Sequence, residues 1–68
     1  MIYHVGNRLL YKQHNTYQGA LFDLLSRKVE MQVARRVLND VASGNFTRQE
    51  CLSQTKCLIE VTISARGI

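Results

Sequence analysis

The residues best suited to chemistry in this chain are two histidines and two cysteines, namely His4, His14, Cys51 and Cys57. Imidazoles and thiolates are good zinc ligands, but structural zinc sites use close pairs such as C-x₂₋₄-C and H-x₃₋₅-H. Here five residues separate the cysteines and nine separate the histidines. We therefore predict no metal site and no cofactor, and we interpret both cysteines as small, buried hydrophobic residues with reduced thiols.

A catalytic centre is not indicated either. Cys57 follows Lys56, which could stabilise a thiolate, but no nucleophile motif surrounds this pair. The five acidic residues are Asp23, Glu30, Asp40, Glu50 and Glu60, and no two have the spacing of a general acid–base pair. The four glycines are isolated, so no phosphate-binding loop is present. Since so short a chain also has little room for a deep pocket, we predict that it is not an enzyme.

The strongest pattern is a predicted helical segment from Lys28 to Asn39 with a basic, amide-rich face. Its polar residues at helical spacing are Lys28, Gln32, Arg35, Arg36 and Asn39, and apolar residues occupy the opposite side. Arginine and lysine suit contacts with phosphates, while glutamine and asparagine can bind base edges. This face therefore predicts contact with nucleic acid or another anionic partner. The plainer alternative is a solvated helix face.

A second candidate surface lies near the N-terminus. Its predicted members are Tyr3, Arg8, Tyr11 and Tyr17. Tyrosine and arginine are the residue types enriched at the energetic centres of protein interfaces. The alternative is that these tyrosines cap a small core and keep their hydroxyls in water.

Length and composition indicate one small globular domain covering residues 1–68. A chain of this size buries only about 60% of its extended surface, so a second copy could add needed stability. The hydrophobic fraction of 46% is too high for a disordered chain, and the net charge of +4 favours anionic partners only mildly. No apolar run approaches the roughly 20 residues of a membrane span, and the N-terminus lacks a signal-peptide pattern. We expect a cytoplasmic protein that can form a homodimer.

The two ends of the chain predict β-structure. Residues 2 to 12 form a predicted hairpin turning at Gly6–Asn7, with Val5 opposite Arg8 and Tyr3 opposite Leu10. Its two faces, either of which could be buried, would be Tyr3/Val5/Leu10 and Ile2/His4/Leu9/Tyr11. Apolar residues alternate from Cys57 to Ala65, which predicts a strand that joins the hairpin.

The central region predicts helices, the first starting at an N-cap at Asn15 or Thr16. The apolar stripe changes phase around residues 26–28, so residues 17–42 form either two packed helices or one long helix. The lack of glycine or proline there slightly favours one helix, which ends at a left-handed Gly44. Thr47 and Glu50 match a capping box, which predicts a short helix from Thr47 to about Thr55.

These elements predict an α+β fold. A three-stranded, mainly antiparallel sheet, made of the N-terminal hairpin and the C-terminal strand, would be covered by two or three helices in the order ββαα(α)β. The segment Val37–Leu52 also resembles the first helix, turn and second helix of winged-helix DNA-binding domains. That resemblance covers about a quarter of the chain. It implies a recognition helix immediately afterwards, where this sequence predicts a strand, so we assign no family.

Together these features favour a small, non-enzymatic intracellular protein that regulates or inhibits by protein–protein contact. Its size and its lack of a reaction centre resemble the accessory proteins of bacteria, phages and plasmids. The alternative is a nucleic-acid-binding regulator that uses the basic helix face.

Overall fold

The computed structural model describes residues 1–7 and 10–64 and shows an α+β fold. Its elements are β1 (Ile2–Asn7), β2 (Leu10–His14), α1 (Tyr17–Ser26), α2 (Met31–Ala42), β3 (Arg48–Leu52) and β4 (Leu58–Ser64). The strands form one antiparallel sheet in the order β2-β1-β4-β3. Helix α1 packs on β1 and β2, and α2 packs on β3 and β4. Within the described residues, neither helix has the length and apolar character that crossing a bilayer requires.

One side of the sheet and the two helices enclose the core. The fully or nearly fully buried hydrophobic residues are Tyr3, Val5, Ala20, Leu24, Val29, Ala34, Val37, Leu38, Val41, Cys51, Ile59 and Val61. The alternation predicted for the C-terminal strand is confirmed from Leu58 to Ser64, because Ile59 and Val61 face inward, but the predicted start at Cys57 is wrong. Ala65 lies outside the described residues. The strand pairs with β1, as expected, and Tyr3 and Val5 show which hairpin face is buried.

The predicted hairpin exists, but its predicted register is wrong. Val5 lies opposite Lys12, and Tyr3 lies opposite His14. Strand β1 ends at Asn7, which lies opposite Leu10, and residues 8 and 9 lie outside the described residues. Strand β1 is therefore longer than the sequence predicted, because it includes the residues that were expected to form the turn.

Gly6 explains the difference. It lies where the backbones of β1 and β2 come close together, and it is not part of a turn. Gly6 lies within β1 opposite Tyr11, and a Cβ atom at this position would collide with the carbonyl oxygen of Leu10. Glycine is therefore required by the backbone of the neighbouring strand.

Of the two arrangements left open for residues 17–42, the structure has two helices, so the slight preference for one long helix is wrong. Helix α1 ends at Ser26, and Lys28 adopts a left-handed conformation with φ of 67°. The buried Val29 then forms an isolated bridge with Ser53, and the amide of Gln54 donates to the carbonyl of Lys28. These contacts with the segment after β3 stabilise a break that contains no glycine or proline.

Two predicted helix ends are confirmed. The Thr16 hydroxyl accepts a hydrogen bond from the Gly19 amide at 3.0 Å and caps α1. Gly44 follows α2 with φ of 82°, the left-handed conformation of a residue just past a helix end.

The predicted third helix is wrong, since Arg48–Leu52 is a strand and the sheet has four strands instead of three. Cys51 faces the core opposite Ile59, and Gln49 lies opposite Val61. Pairing with β4 thus outweighs the local capping preference of Thr47 and Glu50. Strand β3 lies where the second helix of a winged-helix domain would be. The structure therefore does not support the winged-helix resemblance.

Candidate interaction surfaces

Four polar residues of α2 form one exposed stripe. They are Gln32, Arg35, Arg36 and Asn39, hereafter the α2 stripe, and they lie opposite the buried side of the helix. Lys28, predicted as the first residue of this helical pattern, is not helical. It is exposed in the left-handed turn before α2, so the predicted helix start is wrong. The stripe is therefore shorter than the sequence indicated.

The two arginines of the α2 stripe, Arg35 and Arg36, form no ion pair within the described part of the chain. Asp40, on the same helix, accepts a hydrogen bond from the Gln49 side chain at 3.3 Å and is thereby directed toward β3. Both guanidinium groups are consequently available for an external anion.

The predicted tyrosine surface is divided by the fold. Tyr3 is only 8% exposed and packs edge-to-face against Tyr17, with ring centroids 6.3 Å apart. The Tyr17 hydroxyl donates to the carbonyl of Arg35 at 3.4 Å and so links α1 to α2. Tyr11 is exposed on the other side of the sheet, and Arg8 lies outside the described residues.

The side of the sheet away from the helices carries a charged network. We define the outer sheet face by Tyr11, Arg48, Glu50, Leu52, Leu58 and Glu60. The Tyr11 hydroxyl donates to Glu60 at 2.9 Å, and Arg48 contacts Glu50 at 2.8 Å and Glu60 at 3.4 Å. The hydrogen bond to Glu60 raises the pKa of Tyr11. This network connects polar groups from β2, β3 and β4.

Two leucines adjoin this network. Leu52 and Leu58 oppose each other on β3 and β4, with exposed fractions of 59% and 42%. The outer sheet face therefore combines an apolar pair, an aromatic ring and charged groups. Because β1 and β4 are joined in the middle of the sheet, these groups occupy one continuous surface.

A buried ionic cluster that was not predicted from the sequence joins β2 to α1. His14 Nε2 lies 2.7 Å from Asp23 Oδ2, and Arg27 Nε donates to Asp23 Oδ1 at 2.7 Å. Asp23 is buried, whereas the other two side chains stay about 20% exposed. The spacing of Asp23 and Arg27 by four residues on a helix was a visible signal. The contact between His14 and Asp23 could not be predicted, because it requires the observed register of the hairpin.

The cluster changes the acidity of its carboxyl group. Burial alone would raise the pKa of Asp23, but hydrogen bonds from His14 and Arg27 outweigh burial and hold it below its ordinary value of 3.8. The unfolded chain therefore binds this proton more readily than the folded chain. The carboxylate's contribution to stability is present above the ordinary value and is lost as the pH falls through the folded-state pKa.

We expect this pH dependence to be visible against Asp23→Asn. The difference in the free energy of unfolding between the two proteins should be at its full value at neutral pH and should shrink as the pH falls below 3.8 and through the lowered folded-state pKa of Asp23. Urea unfolding of both proteins across this range measures the difference. A gap that stays constant to the lowest pH would contradict the assignment.

The predicted zinc-compatible residues occupy separate places. His4 forms a 3.0 Å hydrogen bond with Ser64, and His14 is engaged by Asp23. Cys51 is buried, as predicted, and burial raises the pKa of its thiol, whereas the prediction of a buried Cys57 is wrong because that residue is exposed. Both thiols are free, and in the described part of the chain no three or more potential ligands of these types come close enough to hold a metal ion.

The arrangement thus offers ion pairing, hydrogen bonding and apolar contact at two separate surfaces. One is the α2 stripe above the sheet, and the other is the outer sheet face. Comparison with family models, curated proteins and solved structures finds no match to this chain.

Proposed function

We propose that this chain is a small, non-enzymatic regulatory or inhibitor-like protein that binds a protein partner through its outer sheet face. The exposed pair Leu52 and Leu58, adjoining a hydrogen-bonded charged network, carries this proposal. Apolar side chains beside hydrogen-bonding and charged groups are the usual composition of a protein interface. The proposed setting is the cytoplasm, where Cys51 and Cys57 stay reduced.

Polar side chains of the outer sheet face already contact one another in the free chain. Tyr11 is held by Glu60, and Arg48 is held by two carboxylates. Side chains that are already ordered lose less conformational entropy when a partner arrives. Tyrosine and arginine in such positions commonly dominate the binding energy.

A matched pair of substitutions tests this proposal. Leu58→Lys places a charge in the outer sheet face, whereas Phe22→Lys makes the same kind of change on α1, where the phenylalanine is 67% exposed. We expect a host protein to be captured by the wild type and by Phe22→Lys but lost with Leu58→Lys, with or without nuclease. Circular dichroism should show that both variants fold.

Two results would contradict a protein partner on this face. One is equal capture by Leu58→Lys and the wild type. The other is that everything the wild type retains disappears after nuclease treatment, which would leave nucleic acid as the bound species.

Nucleic-acid binding is the second candidate, and the two exposed arginines of the α2 stripe favour it. Arg35 and Arg36 are exposed and have no ion-pair partner among the described residues. Gln32 and Asn39 on the same face can bind base edges or phosphates. Binding of this kind weakens steeply with added salt, whereas contact through the leucine pair does not.

A further inference from the structure

Strand β2 forms one end of the described sheet and pairs with β1 alone. Its residues from Leu10 to Gln13 are exposed, and α1 contacts the far end of the strand, where His14 meets Asp23. Within the described residues, no backbone hydrogen bond joins β2 to a segment other than β1. The edge of β2 is therefore open to a further strand.

The backbone groups of two residues point outward from this edge. The Leu10 amide donates to the Asn7 side chain at 3.2 Å, and the Leu10 carbonyl oxygen lies against Gly6. Leu10 thus directs both of its backbone groups toward β1. Because these groups alternate in direction along a strand, Tyr11 and Gln13 direct theirs away from β1. Each of the two offers an N–H donor and a C=O acceptor to an incoming strand.

The residue between them is a lysine without an anionic partner. Lys12 lies opposite the buried Val5, so its exposed side chain leaves the sheet on the side of the helices. No ion pair of the described residues includes Lys12, and the neighbouring cluster holds two basic side chains for the single carboxylate of Asp23. A lysine in the middle of an edge discourages pairing with neutral or basic strands, because its charge would lose water without gaining a partner.

A second copy of β2 would not supply the missing anion. An antiparallel pair of identical strands places one residue opposite itself on the two-fold axis. A centre at Lys12 opposes two lysines. A centre at Tyr11 places Lys12 opposite Leu10, which is apolar. A centre at Gln13 places Lys12 opposite His14. None of these registers pairs the lysine with a carboxylate, so the chemistry of this edge favours a different segment.

We propose that β2 accepts an extended acidic segment of a protein partner as an additional strand. An aspartate or glutamate of the segment lies opposite Lys12 and removes the penalty that excludes neutral strands. An apolar residue two positions away packs on Leu10, which is 62% exposed. The backbone of the segment bonds to Tyr11 and Gln13. The proposal goes beyond the proposed function, since it concerns the strand edge and does not depend on what binds the outer sheet face.

Two short, blocked synthetic peptides of alternating threonine and valine test the charge preference, one with glutamate at its centre and one with lysine. Titrated against the isotope-labelled chain, the glutamate peptide should shift the amide signals of Tyr11 and Gln13 and protect them from hydrogen exchange. Its Kd should be at least about tenfold lower than that of the lysine peptide. Lys12→Glu should reverse this preference. Lys56→Glu makes the same change at an exposed residue in the loop before β4 and should keep it.

A second pair of variants tests the backbone contact. Gln13→Ala and Gln13→Pro both remove the side chain, but only proline removes the outward N–H group, and proline is tolerated on an edge strand. Both should fold by circular dichroism. Gln13→Ala should bind the glutamate peptide like the wild type, and Gln13→Pro about tenfold more weakly or worse.

Four results would overturn the proposal. The wild type could fail to bind the glutamate peptide, or it could bind both peptides equally. Folded Lys12→Glu could keep the preference for glutamate. Folded Gln13→Pro could bind as well as Gln13→Ala. Because Lys12 is exposed, its variant tests the edge even if proline prevents folding.

Discussion

Replacing Asp23 with alanine should lower the free energy of unfolding by about 2–3 kcal/mol, the largest stability loss expected from any single polar residue described here. The substitution leaves His14 and Arg27 without the carboxylate that both contact at 2.7 Å. Each of the two keeps some access to water, so the loss should fall below the range for fully buried partners. For a chain of this length, the melting temperature should drop by about 10–20 °C. Urea or thermal unfolding followed by circular dichroism measures both quantities.

Asp40→Ala is the matched control for that prediction. Asp40 is also a helical aspartate, but its side chain is only partly buried and accepts one hydrogen bond, at 3.3 Å from Gln49. Its removal should cost about 1 kcal/mol or less. If Asp23→Ala were no more destabilising than Asp40→Ala, the cluster would not be the fastening between β2 and α1 that its geometry indicates.

Neutralising both arginines of the α2 stripe, with Arg35→Gln and Arg36→Gln together, should remove most affinity for DNA or RNA. Each guanidinium that contacts a phosphate contributes about 0.9 to the slope of log affinity against log salt on duplex DNA. The double variant should therefore reduce the slope by about 2 and the low-salt affinity by about tenfold or more. A fluorescence-anisotropy titration at several salt concentrations gives both values. Stability should change little, since both side chains are exposed.

A double variant of two exposed lysines controls for net charge. Lys12→Gln with Lys56→Gln removes the same total charge from β2 and from the loop before β4. It should retain most of the binding if the α2 stripe is the contact. Equal losses in both double variants would show a diffuse electrostatic attraction. A wild type with no measurable affinity at low salt would remove the nucleic-acid proposal.

The elements whose signals are local were predictable from the sequence. Strand β4 follows from alternation over its own residues, and Thr16 and Gly44 mark helix ends by their own chemistry. The α2 stripe could be predicted for the same reason, because its members lie on one helix and recur at helical spacing. Only its beginning was misjudged, at Lys28.

The errors arise where distant parts of the chain compete with local preference. Thr47 and Glu50 have the chemistry of a helix start, yet pairing of Cys51 opposite Ile59 makes the segment a strand. The break between the helices depends on contacts between Val29 and Ser53, which are far apart in the sequence. Local patterns carry no information about either contact.

The same limit applies to the outer sheet face and the buried cluster. Tyr11 on β2 and Glu60 on β4 lie on opposite sides of Gly6 in β1. Because Gly6 has no side chain, the Tyr11 hydroxyl can reach Glu60 across it. His14 reaches Asp23 only with the observed hairpin register. Both sites follow from strand pairing, and the sequence predicted a different register for the hairpin and no β3.

The central claim is that a protein partner binds the outer sheet face, and mapping by nuclear magnetic resonance tests it most directly. The isotope-labelled chain would be titrated with the protein that the wild type captures, and amide shifts would be followed for every strand and helix. We predict that the largest changes fall on Tyr11, Leu58 and Glu60 and leave the α2 stripe unchanged. Changes confined to Arg35, Arg36 and their neighbours, with none on the outer sheet face, would contradict the claim.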